Sequence, residues 1–381
     1  MTNLSTAVEN LPLVDHHVHS VLTQPLAEND FLDALTEASH AFSRDTAFDS
    51  QLGFAVRRHC APILGLPAFA TGEEYLAARA EIGFEESTRR FLRASGISDY
   101  LIDGGYMPEL LLPESELMEL ADATSHAIVR LEIVAEAAMT DAASAPDFLE
   151  RLDALLSAHA ETAVGYKSVA AYRCGLDLAP ERPGAAEVLA AASAWFDQVS
   201  ATGSVRLVDD VIIRHLIWWA LADQKSVVQV HAGFGGPSLM LDTANPSLMQ
   251  RFVAATQETG GRIVFLHCYP FVREAGYLAH LYPHAYLDVG LTLNYLGANA
   301  ASAVRDSLDL APFNKVLFSS DAWGLPELVY LGARIWRDAT IAVLDEYVQR
   351  DGWPESEAIR IATLVASGNA ETLYARRFLA E

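Results

Sequence analysis

After Gly96 the chain settles into a beat: a short run of branched and aliphatic residues, a turn, then a stretch with helical spacing. The apolar runs fall at 98–103, 126–131, 162–168, 226–230, 262–266, 285–289 and 315–319, and Leu13 and Val14 end another near the amino end. Most are four to six residues long and apolar throughout, as parallel strands covered on both faces should be. Segments such as 147–160, 185–199 and 326–349 supply the helices between and after them. Eight βα units fit a closed (β/α)8 barrel better than an open doubly wound sheet. The expected fold is therefore α/β, a TIM barrel.

The beat is interrupted once. Residues 24–96 are too many for an ordinary loop and carry helical patterns. In 30–42, Phe31, Leu32, Leu35 and Ala38 share a side, and 48–60 continues in the same style until Pro62, Gly65 and Pro67 break it. Thr71-Gly-Glu-Glu is a capping signal for a helix through Arg79, and 85–94 reads as another helix stopped by Gly96. The chain is thus expected to be one domain, 1–381, with a helical insertion over 24–96 after strand 1, suited to a lid or a dimer contact.

Barrel enzymes build their sites at the carboxyl ends of the strands, so the residues found there carry the functional argument. Leu13 to Ser20 reads Leu-Val-Asp-His-His-Val-His-Ser. In an extended chain alternate side chains share a face. Asp15, His17 and His19 are then expected on one side, with His16 and Val18 on the other. Later strand ends bring Lys167, His231, His267 and Asp321. Four of the 12 histidines of the chain fall in this set, within runs otherwise made of Val, Ile, Leu and Phe. Neutral imidazoles with a carboxylate bind a divalent transition metal, zinc first, with manganese or iron as alternatives. Such an ion brings the pKa of a bound water towards 7. Asp321 is placed to touch both metal and water, and His267 to polarise a carbonyl or stabilise an oxyanion.

Asp15-x-His17-x-His19, followed by a lysine, two histidines and an aspartate after successive strands, resembles the amidohydrolase superfamily. The segments Gly165-Tyr-Lys-Ser-Val-Ala-Ala-Tyr-Arg-Cys-Gly-Leu176, Gln229-Val-His-Ala-Gly-Phe-Gly-Gly236, Arg273-Glu-Ala-Gly-Tyr277 and Leu317-Phe-Ser-Ser-Asp-Ala322 resemble its amidohydrolase-2 branch, especially the FluG-type domains found alone or fused to glutamine-synthetase-like modules. The resemblance implies His17, His19, His231 and Asp321 as metal ligands, and His267 as a ligand or catalytic group. It also implies two states for Lys167. As a carbamate it bridges two metals; otherwise it is neutral or turned onto a substrate carboxylate, since an ammonium repels a cation. The carbamylated, two-metal form is the reading favoured, with Lys167 counted among both ligands and catalytic groups. Asp15 is read as a group that orients a histidine or the strand end rather than as a ligand.

Other residues near the strand ends are candidates for holding substrate. Arg173 and Tyr172 follow Lys167 and suit a carboxylate; a salt bridge is the structural alternative for Arg173. Glu132, just past the third strand, points to the same mouth or pairs with Arg130 or Arg173. Trp323 walls the pocket or packs in the core. Gly233, Gly235 and Gly236 lack the Lys-Ser/Thr of a phosphate loop and read as a tight turn beside His231. Cys60, Cys174 and Cys268 form neither a disulfide framework nor a zinc motif, and a reducing compartment is expected.

The formal charge of −24 disfavours nucleic acid and anionic membranes as partners. No apolar run reaches membrane-spanning length and no signal peptide is evident. A cytoplasmic protein acting on a small molecule, as a homo-oligomer, is expected. Three functions remain: hydrolysis of a C–N (amide-type) bond in a small carboxylate-bearing substrate, the γ-glutamyl class being suggested by the resemblance alone; nonhydrolytic decarboxylation of the aminocarboxymuconate-semialdehyde decarboxylase type; or a non-catalytic barrel that scaffolds or signals. Lys167 favours the first over the second, and the intact ligand set speaks against the third.

Overall fold

The computed structural model describes residues 3–39 and 46–378. Seven strands form one sheet: β1 (Leu13–Val18), β2 (Ile97–Asp103), β3 (Thr124–Arg130), β4 (Gly165–Ser168), β5 (Val227–Ala232), β6 (Arg262–His267) and β7 (Ala285–Leu287). They pair in sequence order and every pairing is parallel. A parallel step needs a crossover, and helices such as Phe84–Ser95, Glu114–Ala121, Ala145–Ala160, Ala185–Thr202 and Val272–Leu281 provide them. Local chemistry sets their ends. Ser144 and Asp209 accept hydrogen bonds from Asp147 N and Ile212 N at helix starts, and Gly203 closes a helix in the left-handed region.

Residues 315–319, expected to be the eighth strand, do not form a regular one. Phe313–Lys315 is a 3-10 turn, and Val316 makes only an isolated bridge to Leu287. The backbone of 316–322 nevertheless bonds to both neighbours. Leu317 N donates to Leu287 O of β7. On the other flank, His16 N donates to Phe318 O, Asp321 N to His17 O, and His19 N to Ala322 O. The departure has a local cause: Asp321 adopts φ 49° and the Ser320 N–H turns onto the Asp15 carboxylate, so the ladder is broken where the site is built.

Two apolar layers follow from the strand alternation. Val14, Leu101, Ile128, Val164, Val227, Val264, Leu266 and Leu317 form an inner cluster, closed from below by Ala370 and Tyr374 of the last helix, Asn369–Phe378. The other strand faces join the helices in an outer cluster running from Leu4 to Ala366. Among the described residues no helix is long and apolar enough to cross a membrane.

β1 departs from the expected alternation. The strand runs through the His-rich motif instead of ending before it, and its register with β2 shifts between Asp15 and Val18. As a result His16 and His17 both turn inward, and both lie within hydrogen-bond reach of Gln229. His16 is therefore not on the far side from His17.

Between β1 and β2 the described chain is helical in pieces: Glu28–Asp33, Gln51–Ala55, Ala61–Ile63, Gly72–Ile82 and Phe84–Ser95. Thr71 and Glu74 form the expected reciprocal cap. The helix expected over 30–42 is short, because Ala34 to Ser39 leave helical geometry, and its last part lies outside the described residues. Glu327 ties this segment down. Buried at the start of Pro326–Asp351, it accepts from Arg79 Nε at 2.6 Å and Tyr75 Oη at 3.0 Å.

Candidate metal centre

The ends of β1 and the 316–322 segment bring three of the expected ligands together. His17, His19 and Asp321 have donor atoms all within 4.8 Å of one another. His17 Nε2 stands 3.0 Å and His19 Nε2 3.7 Å from Asp321 Oδ1; His267 Nε2 is 3.5 Å from Oδ2. The far nitrogens of the first pair are engaged. His17 Nδ1 meets Gln229 Oε1 at 2.8 Å, and His19 Nδ1 meets Asp103 O at 2.7 Å. Both partners accept only, so each Nδ1 carries the proton and each Nε2 presents a lone pair to the shared space. His267 follows at the end of β6 with φ 66°, a left-handed conformation for a residue with a side chain. Its ring lies 4.6 Å from that of His231, and Tyr172 flanks His231 at 4.7 Å.

Burial dominates the electrostatics. It holds the His17, His231 and His267 imidazoles well below their ordinary range and brings His19 to about 4, so all four are neutral at pH 7. Burial likewise raises the Asp321 carboxyl, opposed by the charge of Lys167. Lys167, buried with Nζ 3.2 Å from His17 Nε2, is lowered to about 8, again chiefly by burial. Asp15 accepts from Ser320 N at 3.0 Å and from Ser320 Oγ, and so positions the backbone that presents Asp321.

Above these groups lies a cavity of about 920 Å³ reached by His19, Lys167, His231 and Asp321. Tyr172, Arg173 and Trp323 line it as well. Arg173 is not free there: its Nη1 donates to Glu136 Oε1 at 2.7 Å and to Leu207 O. The Tyr172 hydroxyl accepts from Gly236 N at 2.9 Å. Trp323 packs edge-on to Tyr106. Glu132 is fully buried beside the wall, where one oxygen accepts from Ser168 Oγ at 2.7 Å and Val169 N at 2.9 Å. The glycine turn after β5 is as expected, with Gly233 at φ 75°. Cys268 is buried and its thiol faces Phe265 O; Cys174 is exposed.

These residues fit a divalent cation. His231 Nε2 and both ring nitrogens of His267 are buried without a hydrogen-bond partner among the described residues, an expense that a ligated ion would remove. The lone pairs of His17 and His19 face the same space beside a carboxylate.

The amidohydrolase family model matches residues 132–376. The chain belongs to the amidohydrolase family. Protein FluG of Emericella nidulans is 28% identical over 417 residues, which cover 98% of this chain and 47% of that protein; the chain thus spans about half the length of this relative. A Lactobacillus casei protein assigned as a metal-dependent hydrolase superposes over all of both chains with a TM-score of 0.87 at 28% identity. A uronate isomerase from Bacillus halodurans shares the fold alone, at 16% identity and a TM-score of 0.65 over 98% of this chain and 95% of that one. The family implies a divalent metal, and the group His17, His19 and Asp321 could hold one.

Several residues that shape this amidohydrolase site escape a reading of strand ends. Asp288, one residue past β7, accepts from His16 Nε2 at 2.6 Å, Ser319 Oγ at 3.0 Å, His267 N at 2.6 Å and Gly290 N at 3.0 Å. Burial pushes its carboxyl up, but these bonds, His16 foremost, outweigh it and leave it below the usual value. Gln229 lies two positions before His231 on β5, on the same face; that spacing is the one signal that marked it. Arg130, at the end of β3, donates twice to Asp103 Oδ2 and lines the cavity. Arg206 lines it too, its guanidinium donating to Tyr172 O. Glu37 enters from the helical segment and accepts from Tyr295 Oη at 3.1 Å. Neither Arg206 nor Glu37 falls at a position that periodicity singles out, and Arg130, the last residue of β3, enters the sequence reading only as a partner for Glu132.

Proposed function

We propose that the chain is a metal-dependent hydrolase that cleaves a C–N bond of amide type in a small carboxylate-bearing substrate. The observation that carries this reading is the convergence of the His17 and His19 Nε2 atoms on Asp321 while both Nδ1 atoms are held by acceptors. His17, His19, His231, His267 and Asp321 would hold the ion. When bound, it supplies a Lewis acid and brings the pKa of water into the neutral range. Asp321, raised by burial, takes a proton from the attacking water and returns it to the leaving nitrogen. Arg206, which lines the cavity, receives the substrate carboxylate; Arg173 steadies the wall through Glu136. Trp323 and Tyr106 pack edge to face on one side of the cavity.

Lys167, lowered to about 8, is about one-tenth free amine at pH 7, far more than an ordinary lysine. That supports its carbamylation, which would replace a cation beside His17 with a carboxylate able to bridge two ions. Zinc suits the imidazole-rich donor set best. The fold is taken as a complete (β/α)8 barrel with 316–322 in the place of the eighth strand, in one domain that includes the helical segment at 24–96.

Metal analysis of the purified protein tests the reading. One or two transition-metal ions per chain are expected, none in a His17→Ala, His19→Ala double variant, and an added CO₂ on Lys167 by mass spectrometry of the native protein. A double variant that keeps its full metal content sinks the assignment. Screening amides, γ-glutamyl compounds among them, against metal-loaded protein identifies the substrate; loss of CO₂ from a carboxylate substrate instead of amide cleavage would overturn the reaction.

A further inference from the structure

We infer that Gln229 is a positioning residue that fixes which nitrogen of His17 carries the proton, and that the backbone carbonyl of His16 sets the direction of the Gln229 amide, with the hydroxyl of Tyr374 in the last helix as a second anchor. The inference rests on His17 being a metal ligand, as proposed above.

Gln229 is fully buried on β5. Its Nε2 donates to His16 O at 2.6 Å and to Tyr374 Oη at 2.9 Å; its Oε1 lies 2.8 Å from His17 Nδ1. An amide side chain can be turned over, and only its partners decide which end is which. Here the decision is forced. A backbone carbonyl accepts and never donates, so the nitrogen of Gln229 must face His16 O. The oxygen is then left for His17, which must meet it with Nδ1–H. His17 Nε2 is consequently a bare lone pair, 3.0 Å from Asp321 Oδ1.

The wrong tautomer would put a hydrogen where an ion must sit and two lone pairs against each other in a buried site. Excluding it in advance removes one cost of binding. Tyr374 adds the far anchor: it rises from Asn369–Phe378 through the inner apolar cluster and also stands 3.3 Å from His16 Nδ1. The last helix, none of whose described side chains lines the cavity, thereby reaches the candidate metal centre through two hydrogen bonds.

The test uses full-length protein stripped of metal and titrated with Zn²⁺ alone against a chromophoric chelator. Gln229→Leu removes the acceptor and is expected to loosen Zn²⁺ by roughly 10- to 100-fold. Gln229→Glu keeps an oxygen facing His17 but loses the amide donor, and is expected to bind as tightly as the unsubstituted protein or tighter. Both lower the melting temperature of the metal-free protein, since both lose the donor to His16 O; a purely structural role would make the two affinities fall together. Tyr374→Phe leaves the bond to His16 O and is expected to loosen Zn²⁺ less than Gln229→Leu. Nitrogen-15 spectra of the metal-free, unsubstituted protein give a second readout: His17 protonated on Nδ1 is expected. Protonation on Nε2, unchanged affinity in Gln229→Leu, or equal losses in the Leu and Glu variants would overturn the inference. If the unsubstituted protein fails to bind Zn²⁺ while His17 is Nδ1-protonated, the metal-site reading falls and the tautomer assignment stands.

Discussion

Replacing Asp288 by Asn changes one atom of a fully buried carboxylate, and the structure indicates what that costs. Oδ1 accepts from two backbone N–H groups, His267 and Gly290; Oδ2 accepts from His16 Nε2 and Ser319 Oγ. An amide NH₂ cannot face the two backbone donors, so it must take the Oδ2 position. There His16 has to give up its Nε2 proton to become an acceptor, and Ser319 has to reverse its hydroxyl. Four bonds survive in count, but all lose their charge assistance, at about 0.5–1 kcal/mol each. The expected loss is therefore about 2–4 kcal/mol. Asp288→Ala instead strands two backbone N–H groups and His16, each costing about 1–3 kcal/mol, and should lose about 3–9 kcal/mol in all. Urea unfolding of the metal-free protein reads this as a shifted midpoint at unchanged slope. Over 381 residues the entropy of unfolding is roughly 0.8 kcal/mol/K, so Asp288→Asn should lower Tm by about 3–5 °C. Two results would refute the reasoning: a loss below about 0.5 kcal/mol for the Asn variant, or equal losses for Asn and Ala.

Other expectations follow from the same geometry. Glu327→Ala leaves the Arg79 guanidinium buried and unpaired and should cost about 3–5 kcal/mol; a loss within that of a surface substitution would show that the pair does not hold the helical segment. His284 is pushed down to about 4 by burial, with Lys315 and Arg262 adding to it. The unfolded chain, titrating near 6.5, binds a proton that the folded chain refuses. This contribution is therefore complete above about pH 6.5 and lost as pH falls towards 4. Partial solvent screening keeps it to about 1–2 kcal/mol, and His284→Gln should flatten that part of the stability–pH curve. A methyl group on Gly235 would land against Tyr172 Oη and 2.8 Å from His231 Nε2, so Gly235→Ala should loosen Zn²⁺ and cut turnover while leaving the far-UV spectrum unchanged. Zn²⁺ at 100 times its dissociation constant should stabilise the protein by about 2.7 kcal/mol; chelation, or the His17→Ala, His19→Ala pair, should abolish that gain.

Much of this protein is written along the chain. A short apolar run followed by an amphipathic stretch fixes strand and helix because both periods are local properties of the backbone, and seven of the expected strands form in the expected order. Ligand chemistry is equally local. Imidazoles and a carboxylate at strand ends announce a cation wherever the strands converge, and His17, His19 and Asp321 do converge. What tertiary structure alone decided is who faces whom. The register shift in β1 turned His16 inward beside His17, where strict alternation opposed them. Residues 316–322 gave up a regular ladder to present Asp321. Arg173 was taken by Glu136. Gln229, Asp288 and Tyr374, separated by up to 145 positions, met beneath the candidate metal centre. These are hydrogen bonds and packing choices between distant segments, satisfied together or not at all, and no local period encodes them.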